Sequence, residues 1–179
     1  VHPGDRIKTR YSSWRFNANT RRMPEFTAPG IGTQSNSVAI ELDVPANASG
    51  VLYALGGAGG GVTLYMDQGH LSYLYNLFII EQFSTRSESP IPAGKHKVEV
   101  ITKISGPGKE GNVSLLVDGR EVGVLHLART VPAVFSASET FDVGVDLGSP
   151  VSLDYFDRRP FEFNGEIVSV NVELNESNR

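Results

Sequence analysis

VLYALGGAGGGVTLYMDQGHLSYLYN, residues 51–76, decides the architecture. It holds three short runs rich in β-branched and aromatic residues: VLYAL at 51–55, VTLYM at 62–66 and LSYLYN at 71–76. GGAGGG at 56–61 separates the first two, and Asp67-Gln68-Gly69-His70 separates the last two. Each run has strand length and each divider has turn chemistry, so the segment reads as successive antiparallel strands. Upstream, Val38, Ile40, Leu42 and Val44 alternate with Ala39, Glu41 and Asp43 until Pro45 closes the run. Downstream, Lys95–Ile104 alternates through Val98, Val100 and Thr102. SLLV at 114–117 and REVGVL at 120–125 flank Asp118-Gly119, a dipeptide whose backbone readily takes positive φ in hairpins. Phe141, Val143 and Val145 alternate again, and Val168, Val170, Val172 and Leu174 form a last strand. About ten short strands without a sustained helical period predict an all-β fold: two antiparallel sheets packed as a jelly-roll sandwich.

The 179 residues suit one domain, which at this length buries roughly 70% of the surface its unfolded chain exposes. Cysteine is absent, which excludes disulfides, thiolate zinc sites and cysteine nucleophiles. No stretch reaches the ~20 apolar residues of a membrane-spanning helix, so no membrane partner is expected. The net charge of −4 is uneven. Residues 1–30 carry Arg6, Lys8, Arg10, Arg15, Arg21 and Arg22 against Asp5 and Glu25, a balance of +4, which leaves −8 for residues 31–179. An acidic body argues against nucleic acid as partner. Residues 1–30 read as a basic arm or linker, with one short helix suggested by Ile7, Tyr11 and Trp14. Residues 31–179 read as a single sandwich domain. Val1 is not an initiator Met and no signal-peptide pattern follows it, so the chain is expected to be cut from something longer.

The polar residues allow few chemistries. GGAGGG has no Gly-x-x-x-x-Gly-Lys-Ser/Thr register and no helix after it, and reads as a bulge or close backbone approach. His2, His70, His96 and His126 lack metal-ligand spacing; His70 falls in a turn and His96 at a strand start, both read as surface positions. The strand motif Glu-x-Asp-x-x-Glu of jelly-roll glucanases is approached at Glu41-Leu42-Asp43, but its last position is Ala46. No catalytic residue is therefore assigned. Asp142, Asp146, Asp154 and Asp157 lie among Gly144, Gly148, Pro150 and Pro160; oxygen donors from such a loop could hold Ca²⁺, or the aspartates could cap turns. No cofactor is required. Tyr73 and Tyr75 share a sheet face and, with Asn76 and Phe78, are the candidate binding residues, either for stacking on sugar rings or for docking a partner.

ALGGAGGGVTLYMDQGHLSYLYNLF at 54–78, IPAGKHKVEV at 91–100, VDGREVGV at 117–124 and TFDVGVDLGSPVSLDYFDRRPFEFNGEIVSVNV at 140–172 also resemble a family, the C-terminal domain of bacterial arylsulfatases. The resemblance runs from about Arg22 to Leu174 and implies a concanavalin-A-like sandwich. It implies no catalysis by this chain. The formylglycine motif Cys/Ser-x-Pro-x-Arg is missing at Ser89-Pro90 and Ser149-Pro150, and the metal and sulfate ligands belong to a separate catalytic domain. The implied role is an accessory domain that packs against that catalytic domain of the same polypeptide, through residues 75–78 and 146–160, and shapes access of a sulfate ester. The alternative is a free-standing laminin-G/lectin-type module for a sulfated or other glycan. The compartment stays open between bacterial cytoplasm and periplasm.

Overall fold

The computed structural model describes residues 11–175. Among these residues twelve strands form two six-stranded antiparallel sheets. The first sheet orders β1 (Ser13–Phe16), β12 (Glu166–Leu174), β3 (Asn36–Val44), β8 (Gly94–Ile104), β9 (Gly111–Val117) and β10 (Arg120–Leu127) from edge to edge. The second orders β2 (Met23–Pro24), β11 (Thr140–Val143), β4 (Gly50–Gly57), β5 (Gly60–Asp67), β6 (His70–Leu77) and β7 (Glu81–Arg86). The sandwich expected from the alternations is therefore the observed architecture.

The two sheets differ in how their faces are used. In β3 and β8 the apolar set Val38, Ile40, Leu42, Val98 and Val100 is buried between the sheets, while Glu41 and Lys97 pair across strands on the solvent face. Such a strand has to alternate. β4, β5 and β6 are buried along nearly their whole length. Their inner face contributes Tyr53, Leu64, Met66, Tyr73 and Tyr75 to the main core. Their outer face holds Val51, Ala54, Tyr65 and Leu74 against Val151, Tyr155 and Phe161. Those last three come from a segment after β11 that crosses the sheet as a roof and contains a short 3-10 helix, Leu153–Arg158. Backbone bonds from Val51 to Phe161 and from Asn164 to Ser49 tie the roof to β4. Burial on both faces is why VLYAL and VTLYM are continuous apolar runs.

Within the described residues, the arm belongs to the sandwich. Ser13–Phe16 pairs with β12 and Met23–Pro24 pairs with β11, so each sheet gains an edge strand from the stretch expected to be a linker. The Glu25 carboxylate receives the amides of Phe135 and Ser136 at 2.7 and 2.9 Å, and the Arg22 amide reaches Asp142 Oδ1 at 2.6 Å. Trp14 is in a strand, which corrects the helix expected through it; Ile7 lies outside the described residues. The pattern of three apolar positions was too short to separate a helix from an edge strand.

Hairpin turns divide the molecule into two ends. The first end carries the β5–β6 turn (Gln68-Gly69), the β9–β10 turn (Asp118-Gly119) and the link 87–93 between β7 and β8. The second carries the glycine run, the β6–β7 turn (Phe78-Ile79) and the 128–139 link. The glycine run does allow close backbone approach. A Cβ on Gly56, where φ is 93°, would sit 2.3 Å from the Gly60 oxygen, and one on Gly57 would sit 2.3 Å from Ser149 Oγ.

Candidate binding cleft

The structure separates the residues expected to form a binding face. Tyr73 and Tyr75 do share a face, but it is the inner one: they are 2% and 0% exposed in the main core. Neither ring can stack on a sugar, which corrects the reading of an exposed stripe. The period-2 rule puts both tyrosines on one side without saying which side is wet. Tyr75 instead ties loops together, donating to the Gly32 oxygen and accepting from the Val131 amide, both at 2.7 Å. Asn76 points the other way and is also buried. Its Nδ2 donates to the oxygens of Ala58 at 3.0 Å and Val151 at 3.3 Å, and its Oδ1 accepts from the Ile79 amide at 2.9 Å. Phe78 alone of the four reaches solvent, beside Ile79 and Ile80, which are 66% and 79% exposed. These three side chains form an apolar tip at the second end.

The four aspartates do separate jobs. Asp142 accepts from the amides of Arg22 and Leu147 and from Thr140 Oγ1. Asp146 Oδ2 accepts from the Val151 amide at 2.8 Å and the Tyr155 hydroxyl at 2.5 Å. Asp154 accepts from the Tyr65 hydroxyl at 2.6 Å, and Asp157 is exposed. Among the described residues no three His, Cys, Asp or Glu side chains are arranged to hold a metal ion. The bonds made by Asp142, Asp146 and Asp154 are those of carboxylates that hold turns and neighbouring hydroxyls. Asp146 is unusual nonetheless. Its Oδ1 is buried without a partner, and burial pushes its carboxyl up to about 7 against the pull of the Tyr155 and Val151 bonds.

An open cleft of about 960 Å³ lies at the first end, between the edge strands β7 and β10. Its walls are Thr85, Arg86 and the link 87–92 on one side and Arg120–Val124 on the other; His96 and Asp118 also line it. β10 bulges at Val122, and Gly123 brings the two edges together: a Cβ there would meet Thr85 Oγ1 at 3.2 Å. The side chains of Arg86 and Arg120 make no hydrogen bond or ion pair among the described residues, although Arg86 lies within the electrostatic reach of Asp67, so both forks can take a ligand. Ile91, Val117 and Val122 supply apolar surface beside them. The link is anchored at its start, where Ser87 exchanges bonds with Leu71, and near its end, where the Ile91 amide donates to the Gly69 oxygen at 2.8 Å. Sequence reading missed this site because it joins edges far apart in the chain. The one available signal was the pairing of β8 with β9, which sets Val98 opposite Val117 and so brings Asp118 beside His96.

The architecture is a concanavalin-A/laminin-G-like β-sandwich. It is similar to the CBM40 of the Ruminococcus gnavus IT-sialidase, with TM-score 0.64 and 13% identity over 94% of this chain and 92% of that one. It is also similar to domains LG4-5 of the mouse laminin α1 chain, with TM-score 0.55 and 12% identity over 92% of this chain and 39% of that one. The leech intramolecular trans-sialidase matches with TM-score 0.58 and 9% identity over 94% of this chain and 26% of that one. At these identities the likeness is one of fold. No family model matches the chain, and no curated protein matches it. The comparisons add no link to sulfatases.

Proposed function

We propose that this chain is a non-catalytic glycan-recognition module whose ligand occupies the cleft between β7 and β10. The observation that carries this reading is the pairing of two guanidiniums that make no hydrogen bond or ion pair among the described residues, Arg86 and Arg120, with apolar walls in one open cleft. A sugar presents hydroxyls around apolar C–H faces. Arginine forks bind hydroxyl, carboxylate and sulfate oxygens, and aliphatic walls cover the ring. The fold supports the reading, since the R. gnavus CBM40 has been captured with α2,3- and α2,6-sialyllactose. In this chain residues 144–163 roof the outer face of the second sheet, and none of them lines the cleft.

The test is a glycan array that includes sialylated and sulfated oligosaccharides, followed by calorimetry on hits. Replacing Arg86 and Arg120 together by Ala should weaken binding by about tenfold or more. Equal affinity in the double variant would move the site elsewhere, and no glycan bound at millimolar concentration would end the reading. A second reading, docking on a catalytic domain such as that of a sulfatase, draws support from the apolar tip at Phe78–Ile80. Sedimentation of this chain with such a domain, with and without the tip, tests it.

A further inference from the structure

His96 stands on β8 in the wall of the cleft, and both of its ring nitrogens face acceptors. Nδ1 lies 2.5 Å from Asp118 Oδ2 and Nε2 lies 2.7 Å from the Pro92 oxygen. An ionised carboxylate and a peptide carbonyl have no hydrogen to give, and neutral imidazole carries a single N–H. The neutral ring therefore sets a lone pair against one of its two partners. Only the imidazolium donates to both. Asp118 is held in place for this contact, because its Oδ1 accepts the Lys97 amide at 2.9 Å and its own amide donates to the Lys97 oxygen at 2.8 Å. One ring thus joins β8, the β9–β10 turn and the end of the link 87–93, three of the segments that line the cleft.

We propose that His96 is a protonation switch on the cleft: the imidazolium pins Pro92 to Asp118, and loss of its proton frees the end of the link and loosens that wall of the binding site. The consequence for glycan affinity rests on the cleft being the glycan site. The surroundings favour the protonated form. Burial pulls the imidazole down, but Asp118, the Pro92 oxygen and Asp43 at the end of β3 outweigh it, and the ring sits above its ordinary value. Asp118 is held below the usual carboxylate range by the Lys97 amide and by His96 itself. The neighbouring Lys97 ammonium faces Glu99 at 3.8 Å, and the remaining charges lining the cleft are Arg86, Glu88, Arg120 and Glu121. The anchors at the start of the link are backbone and serine bonds that do not titrate, apart from His70 Nδ1 at 2.8 Å from the Ser87 oxygen.

The test follows the His96 ring by NMR from pH 5 to 9, together with the exchange protection of the Ile91 amide corrected for intrinsic rate. The expected result is a ring midpoint above 6.5, with Ile91 protection falling roughly three- to tenfold at the same midpoint. His96→Gln should abolish that step and His70→Asn should keep it. A ring midpoint at or below 6.5, flat Ile91 protection, or a step that disappears in His70→Asn instead would overturn the switch. Sialyllactose affinity is then measured across the same range, where the sugar carboxylate stays ionised. Affinity that declines with the ring titration supports the switch, and affinity that stays level while the ring titrates overturns it. An intact Ile91 step with no sialyllactose bound at any pH upholds the pin and counts against sialosides as the ligand.

Discussion

Asp118-Gly119, the two-residue turn between β9 and β10, and Phe78-Ile79, in the three-residue link between β6 and β7, each place two successive residues at positive φ: 52° and 81° in the first, 51° and 67° in the second. The first uses residues that tolerate the left-handed region. The second places a β-branched isoleucine there, at a cost of about 1–2 kcal/mol per residue. The Phe78-Ile79 turn persists because its surroundings dictate it. Asn76 holds the Ile79 amide, the Phe78 ring meets Phe135 edge-on at 6.5 Å, and the Ile80 amide closes on the Leu77 oxygen at 3.0 Å. A turn with favourable local chemistry forms from its own dipeptide, whereas this one is imposed by tertiary contacts. The two ends of the sandwich repeat that contrast in their carboxylates. Asp118 has both oxygens engaged, while Asp146, in the roof whose Val151 also meets Asn76, leaves one oxygen buried and unpartnered.

The largest expected effect tests the carboxylate half of the contrast. Asp146 sits at about 7 in the folded chain against 3.8 for the free group, so the folded state holds a proton that the unfolded state gives up. The stability this supplies is fully present below about pH 4 and is lost as pH rises through 7, a total on the order of 4 kcal/mol. Urea unfolding at a series of pH values should show that decline, and Asp146→Asn should flatten it. Parallel profiles for the two proteins would mean that Oδ1 has a partner in solution. Next in size, Asn76→Ala should cost about 3 kcal/mol, because it strands the Ile79 amide and two carbonyls. A loss below 1 kcal/mol would show that the strained turn is held by Phe78 packing alone.

Writing the poor turn into the good site sharpens the contrast. Replacing Asp118-Gly119 by Phe-Ile should destabilise by about 2 kcal/mol from left-handed strain, and it also removes the partner of His96. Thermal unfolding of this variant beside Asp118→Gly separates strain from the lost bonds, since Gly accepts the φ of 52° at position 118 and removes the carboxylate. Equal melting points for the two would show that Ile is accepted at position 119, against the argument from φ.

What could be read from the sequence follows the same division. The Asp118-Gly119 hairpin and the alternation at 38–44 were legible because one dipeptide or one period fixes each of them. The candidate site was not. Tyr73 and Tyr75 were assigned to a common face, but the choice between core and solvent depends on the opposing sheet. The difference between continuous and alternating apolar runs did carry a signal for the roof, since VLYAL and VTLYM need cover on both faces. Nothing local marks Phe78-Ile79 as a turn, and the arm's edge strands are recognisable only beside the strands they join. The cleft depends on the meeting of β7 with β10, which no local pattern encodes.

Phe78→Asn with Ile79→Gly gives the strained turn the chemistry of the relaxed one, and carries the smallest expected effect. Relief of the left-handed isoleucine contributes about 1–2 kcal/mol, and the added freedom of glycine in the unfolded chain takes back roughly half. A net gain of about 1 kcal/mol should raise the melting point by about 2–4 °C. A lower melting point would mean that the edge contact of Phe78 with Phe135 outweighs the strain. The same variant strips the apolar tip, so it separates two uses of the second end. Stabilisation without any loss of partner binding marks the turn as a by-product of packing around Asn76. Stabilisation with loss of association means that the strain is retained because Phe78, Ile79 and Ile80 have a surface to meet.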